Sequence, residues 1–108
     1  MYLLSAFSLN MIDSNTKDAI KISATSVTPE SAKSVLLHKG FESAVGHEST
    51  ANILQEFLGV EVKFSRQTIK LKKGEQCFVA QYSGPRLEEG ATTLPEGSEI
   101  IWYLVSIL

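Results

Sequence analysis

Apolar stretches alternate along the chain with short polar connections, and their spacing predicts both strands and helices. Runs or alternations of apolar residues are typical of β-strands, whereas recurrence every three or four residues is typical of a helix that faces a core. The first pattern predicts strands at residues 2–7, 19–27, 76–82 and 99–107. The last of these is apolar on both faces, which favours a strand inside a covered sheet or at a subunit interface.

Two segments carry helix signals. The Thr-Pro-Glu sequence at residues 28–30 is a typical helix start, and that helix is expected to end at Gly40. A second helix is predicted to start where Ser49 or Thr50 can cap it and to end at Gly59. Its apolar residues fall on one stripe, which consists of Ile53, Leu54, Phe57 and Leu58.

The remaining segments complete the prediction of the fold. Residues 68–71 and 76–82 flank a Lys-Lys-Gly-Glu sequence, which is typical of a β-hairpin. Residues 60–64 alternate like a strand or an extended arm, and residues 13–16 form a polar loop. Strands interleaved with two helices predict an α/β fold: one domain, residues 1–108, with a mixed β-sheet, flanking helices and a β-hairpin.

Composition narrows the class of protein. The chain has 108 residues, of which 44% are hydrophobic and 20% charged, as in an ordinary globular domain. Its formal net charge of −2 argues against a protein that coats DNA or RNA in general, because such proteins are normally basic. A small anionic ligand held in a local positive pocket is still compatible with this charge.

Cysteine and histidine usage points to a reducing compartment without a metal site. The single cysteine, Cys77, has no partner for an internal disulfide, and two histidines, His38 and His47, do not form a metal-ligand spacing. The N-terminus lacks the basic leader of a signal peptide, and the longest apolar run, residues 100–105, is too short to cross a bilayer. We therefore expect a cytoplasmic protein with no metal, no cofactor and no membrane partner.

His47 is the main candidate for chemistry. It lies at or just before the first turn of the second predicted helix, where backbone N–H groups lack intrahelical partners and favour a phosphate. An imidazole at such a place suits phosphodiester chemistry. The plainer interpretation is a capping or surface histidine. Similarly, Ser8 and Asn10 follow a buried strand and are either ligand contacts or residues that satisfy a turn.

Three ordered motifs carry a resemblance to a known family. The Ala-Phe-Ser-Leu-Asn-Met sequence at residues 6–11, Gly-His-Glu-Ser-Thr at 46–50 and Arg-Leu-Glu-Glu-Gly at 86–90 resemble the viral anti-CRISPR ring nucleases of type III systems. The similarity extends over nearly the whole chain. It implies a homodimeric α/β protein that binds cyclic tetra-adenylate across its dimer interface. It also implies cleavage of the ring without metal into linear adenylates that end in a 2′,3′-cyclic phosphate.

The same resemblance implies roles for individual residues. By motif, His47 matches the catalytic histidine, Glu89 its acidic companion and Arg86 a phosphate-binding arginine. Further positions match residues that line the ligand site: Ser8, Asn10, Arg66, Ser49, Thr50 and Gln81.

Two other functions remain open at this point. One is a binding protein that sequesters a cyclic nucleotide without cutting it, although such a protein needs neither His47 nor Glu89. The other is a nucleic-acid binder that uses the basic cluster at residues 63–73. Net acidity and the lack of a recognisable recognition helix argue against the latter, and a solvated strand face explains the cluster equally well.

Overall fold

The computed structural model describes residues 1–13 and 19–108 of the chain. Most of the polar loop predicted at residues 13–16 therefore lies outside the described residues. The described elements are β1 (Tyr2–Leu4), a short 3-10 helix (Leu9–Met11), β2 (Ile22–Val27), α1 (Pro29–Lys39), β3 (Glu42–Ala44), α2 (Glu48–Leu58), β4 (Gln76–Ser83) and β5 (Glu99–Ile107).

The five strands form one mixed sheet in the order β2-β5-β4-β1-β3. Strand β1 pairs in parallel with β3 on one side and with β4 on the other. Strand β5 pairs antiparallel with β4 and with β2. Together with the two helices, this sheet confirms the predicted α/β class and its mixed strand directions.

Both helices begin and end near the predicted residues. Thr28 caps α1, its side chain accepting a hydrogen bond from the backbone N–H of Ser31 at 3.1 Å, and Gly40 ends it. Gly59 ends α2 with φ of 74°, a left-handed conformation that glycine adopts without steric cost. The predicted start of α2 needs correction, because His47, rather than Ser49 or Thr50, is the capping residue.

The hairpin predicted around residues 72–75 is wrong. Residues 68–71 form no strand with β4; instead, Leu71 makes a single parallel bridge to Ile12. The backbone N–H of Leu71 donates to the carbonyl of Met11, and that of Asp13 donates to the carbonyl of Leu71. The reason is topological: β1 and β5 occupy both edges of β4, so no edge remains for a hairpin partner.

Other strand predictions differ in length. Strand β1 ends at Leu4 instead of residue 7, and residues 60–64 contribute only one bridge, from Phe64 to Val45. Strand β3 was not predicted, since its Glu-Ser-Ala sequence has no strand signal. The last strand, β5, has the predicted bounds and lies inside the sheet.

The two faces of the sheet are covered in different ways. Both helices pack on one face, where Leu36 of α1 and Leu54 of α2 join Phe78 and Trp102 in a buried core. Non-strand segments cover the other face, which packs Ile12, Ile69 and Leu71 against strand residues. The further strand residues of this second core are Leu4, Cys77, Val79, Val105 and Ile107.

Candidate functional site

The candidate site forms where three parallel strands end. Strands β1, β3 and β4 run in the same direction, so their carboxyl ends meet at one end of the sheet. The three segments that follow them are residues 5–11, 45–47 and 84–90. The first and the last each contain one sequence motif, and the middle one contains the Gly-His start of the motif at 46–50, which continues into α2. Carboxyl ends of parallel strands are a common place for ligand crevices. The topology thus explains how motifs up to eighty residues apart in sequence come to one end.

His47 is fixed by its position as the N-cap of α2. Its Nδ1 accepts a hydrogen bond from the backbone N–H of Thr50 at 3.4 Å and lies 3.2 Å from the Thr50 hydroxyl. These contacts assign Nδ1 to the helix and leave Nε2 as the nitrogen that can meet a ligand. The His47 side chain is exposed, whereas Thr50 is buried beneath it.

An open cleft of about 600 Å³ lies in front of His47. It gathers three of the predicted functional residues from distant parts of the chain: His47, Arg86 and Glu89. Predicted ligand residues Arg66 and Ser49 also line it. The other lining residues are Gly46, Glu48, Phe64, Leu87 and Glu88.

A buried serine joins the two halves of the cleft. The Ser49 hydroxyl on α2 donates a 2.8 Å hydrogen bond to the backbone carbonyl of Glu88. Ser49 is only 3% exposed, and Leu87 beside the acceptor is also buried. This contact ties the start of α2 to the loop that carries Arg86 and Glu89. Ser49 therefore serves the site as a structural link as well as a lining residue.

Arg66 is held against the segment that precedes His47. Its Nε donates to the carbonyl of Gly46 at 3.1 Å, and its guanidinium carbon lies 6.0 Å from the centre of the Phe64 ring. The backbone of the preceding residue is also anchored, since Ser65 N–H donates to the Val45 carbonyl at 2.9 Å. With Nε engaged, the terminal guanidinium nitrogens are available for a bidentate contact to phosphate.

The cleft is lined by charges of both signs. Arg66 and Arg86 face three carboxylates, those of Glu48, Glu88 and Glu89. Across residues 1–13 and 19–108, the one ion pair within 4.0 Å joins Lys63 to Glu61 at 3.8 Å. Within that part of the chain, no carboxylate at ion-pair distance neutralises either arginine of the cleft.

Comparison with known proteins assigns the chain to a family. Residues 1–101 match the protein family described as STIV B116-like. The chain belongs to the STIV B116-like family.

Two similar proteins come from viruses of Sulfolobus. The chain of this B116-like protein is 41% identical over 69 residues to "Uncharacterized protein 26" of Sulfolobus islandicus filamentous virus (isolate Iceland/Hveragerdi). That match covers 64% of the chain and 58% of the viral protein, less than two thirds of either. The fold is similar to B116 of Sulfolobus turreted icosahedral virus, with a TM-score of 0.78, 26% identity and 97% of each chain covered.

The remaining predicted ligand residues of the B116-like chain do not line the cleft. Ser8 and Asn10 are exposed in the segment after β1, and the Asn10 carbonyl accepts a hydrogen bond from Lys70. Gln81 is exposed near the end of β4, two residues beyond the Val79 that pairs with Leu4. These three lie at the same end of the sheet as the cleft, whereas Thr50 lies buried behind His47.

A second cavity of about 440 Å³ adjoins the cleft and shares Gly46, His47 and Arg66 with it. Ser5, next to β1, contributes to its wall, as does Met11 at the end of the 3-10 helix. The segment that contains Ser8 and Asn10 therefore borders this second cavity.

Sequence reasoning missed Phe64, Glu48 and Glu88 as cleft residues. The available signal for Phe64 was a large apolar residue in a polar segment two positions before Arg66. Glu48 and Glu88 stand inside two of the motifs, each next to a residue for which the resemblance implies a role, but neither was itself given one.

Among the described residues, no group of three or more His, Cys, Asp or Glu side chains is arranged to hold a metal ion. In the same part of the chain, no helix combines the length and the apolar character that a membrane span requires.

Proposed function

We propose that this B116-like protein is a metal-independent ring nuclease that switches off type III CRISPR signalling. In this proposal it binds cyclic tetra-adenylate at a homodimer interface and cleaves it to linear products with a 2′,3′-cyclic phosphate. The supporting observation is that one cleft is lined by His47, Glu89 and two arginines, Arg66 and Arg86, which have no ion-pair partner among the described residues. The motif resemblance described above supplies the ligand and the reaction.

The ring carries its own nucleophile, so the protein does not have to supply an attacking group. It has to position the reacting atoms and neutralise the charge of the phosphate. The ribose 2′-hydroxyl attacks the adjacent phosphorus and loses its proton to solvent water, and the bond from phosphorus to the 5′-oxygen breaks. Holding these atoms in line contributes several kcal/mol to the lowering of the barrier. Arg86 and the terminal nitrogens of Arg66 are the groups that offset charge on the phosphate.

His47 is the proposed general acid for the departing 5′-oxygen, and a positioned acid is worth about 10²–10⁴-fold. The acid form is an imidazolium with protons on both ring nitrogens. Protonation of Nδ1 ends its acceptor contact with the Thr50 N–H, and the Thr50 hydroxyl can then accept from Nδ1–H over the observed 3.2 Å separation. Nε2 then donates to the leaving group. The positive end of α2 disfavours a cation, so Glu89 and the bound phosphates are the groups that stabilise it.

The carboxylates of the cleft favour catalysis over simple sequestration. Glu48, Glu88 and Glu89 all line a cleft that is proposed to take an anionic ring. A protein selected only to retain such a ring gains nothing from three carboxylates, since each repels phosphate. A carboxylate that supports an imidazolium explains at least Glu89. A non-catalytic binding protein is therefore the second candidate function. The cleavage experiment described below distinguishes it from the enzyme.

The dimer follows from the symmetry of the ligand. A ring of four identical nucleotides has a two-fold axis, so two copies of one cleft can meet it equivalently. The cleft of a single chain is open on one side, which leaves room for a second copy to enclose the ring. Sedimentation or light scattering in the presence and absence of the ring tests this part of the proposal.

The deciding experiment incubates the purified protein with labelled cyclic tetra-adenylate, with and without a chelator. Linear adenylates with a 2′,3′-cyclic phosphate in both samples are the expected products. Strong inhibition by the chelator would indicate a metal enzyme, and tight binding without cleavage would indicate a sequestering protein. Absence of both binding and cleavage would refute the proposal.

Two substitutions at His47 separate its proposed acid role from its capping role. His47→Ala removes both, whereas His47→Asn keeps a side chain that caps helices well but cannot act as a general acid. We expect both variants to bind the ring and to cleave it at least about a hundredfold more slowly. Full cleavage by His47→Asn would remove the imidazole from the mechanism.

A further inference from the structure

Phe64 is a large apolar side chain in a polar cleft. It is 49% exposed, whereas every other aromatic side chain of the described residues is buried or partly buried. It lines the cleft together with Arg66, Arg86 and His47. Neither acid catalysis nor phosphate binding requires an aromatic ring there, so its exposure needs a different explanation.

The exposure of Phe64 does not come from a loose segment. The backbone of Phe64 forms a parallel bridge with Val45, and Ser65 N–H donates to the Val45 carbonyl at 2.9 Å. Two residues further on, Arg66 Nε donates to the Gly46 carbonyl at 3.1 Å. The backbone that carries the ring is therefore anchored beside the segment that leads into His47.

Phe64 and Arg66 together present two kinds of contact. The guanidinium carbon lies 6.0 Å from the centre of the ring, and nearly half of Phe64 stays accessible with Arg66 in that place. The accessible aromatic surface suits a flat, neutral group. The terminal nitrogens of Arg66 suit a phosphate a few ångströms away. A nucleotide has both groups, a base and a phosphate, within one monomer unit.

We propose that Phe64 is a base-stacking subsite that receives one adenine of the ring while Arg66 contacts the adjoining phosphate. This inference rests on the proposed function and assigns a contact with the base to a residue outside the three sequence motifs. Aromatic side chains stack on bases readily, and removing such a contact weakens binding by roughly five- to a hundredfold per base.

The test measures binding of a ring that cannot be cut. Cyclic tetra-adenylate with 2′-fluoro groups lacks the attacking hydroxyl, so its affinity can be measured without turnover. Phe64→Leu keeps an apolar side chain but loses the aromatic face, and Phe64→Trp enlarges that face. Leu37→Ala is the matched control, because Leu37 is 44% exposed on α1 and does not line the cleft.

We expect Phe64→Leu to weaken binding about tenfold or more, Phe64→Trp to retain or improve it, and Leu37→Ala to leave it unchanged. Phe64→Leu should also reduce the preference for the adenylate ring over the 2′-fluoro uridylate ring, because pyrimidines stack less strongly. Wild-type affinity in Phe64→Leu would overturn this inference and leave the proposed function intact. A changed oligomeric state at equal affinity would make Phe64 an interface residue instead. If the wild-type protein binds no ring, both the proposed function and this inference fail.

Discussion

The link between α2 and the loop that carries Arg86 and Glu89 gives the sharpest structural prediction. Ser49→Ala removes the hydroxyl that donates to the Glu88 carbonyl at 2.8 Å. A neutral hydrogen bond of this kind contributes about 0.5–1.5 kcal/mol, and a partly buried carbonyl left without its donor adds to the cost. We therefore expect the free energy of unfolding to fall by about 1–2 kcal/mol. For a domain of this size, each kcal/mol corresponds to roughly 4–8 °C in Tm.

The same substitution should affect cleavage more than binding. Without the Ser49 hydroxyl, the loop is free to shift relative to His47, and misplacement by about 1 Å can cost about a hundredfold in rate. We expect kcat for the proposed ring cleavage to fall about ten- to a hundredfold with only a small change in ring affinity. Urea unfolding followed by fluorescence of Trp102 measures stability, and single-turnover cleavage of labelled ring measures the rate. Ser34→Ala, at an exposed position of α1, is the matched control.

Two results would refute this reasoning. Wild-type stability together with wild-type cleavage in Ser49→Ala would show that the hydrogen bond to Glu88 does not position the loop. Unchanged stability with strongly weakened ring binding would instead make Ser49 a direct ligand contact, as the motif resemblance implies.

Three further predictions follow from individual residues. Arg66→Ala should weaken ring binding at least about tenfold, whereas Lys73→Ala should not. Equal effects of the two substitutions would show that Arg66 is a solvent-exposed residue without a role in ligand binding. Gly84→Ala should destabilise the fold by about 1–3 kcal/mol in urea unfolding, because φ is 151° and an added Cβ would lie 2.9 Å from the Ser98 Cα. Burial raises the pKa of the Cys77 thiol from 9.0 to about 11. Native protein at pH 8 should therefore resist a thiol reagent that labels the urea-unfolded chain at once, and rapid native labelling would contradict this burial.

The sequence alone determined the local structure where a short-range rule applied. Thr28, Pro29 and Gly40 bound α1 because capping and backbone preferences act within one helical turn. The nine residues of β5 were identified because such a strongly apolar run is typical of a strand buried inside a sheet. The motif residues His47, Arg86 and Glu89 were also named from sequence, and the fold places all three in one cleft.

Only the tertiary structure decided which segments become partners. The sequence at residues 68–76 predicts a hairpin, but residues 68–71 do not pair with β4, because β1 and β5 occupy both of its edges. Strand β3 forms although its sequence lacks a strand signal, because β1 offers it a free edge. The roles of Phe64 and of the Ser49 hydroxyl could not be read from sequence either. Each depends on a neighbour about twenty to forty residues away, and no local pattern records such a separation.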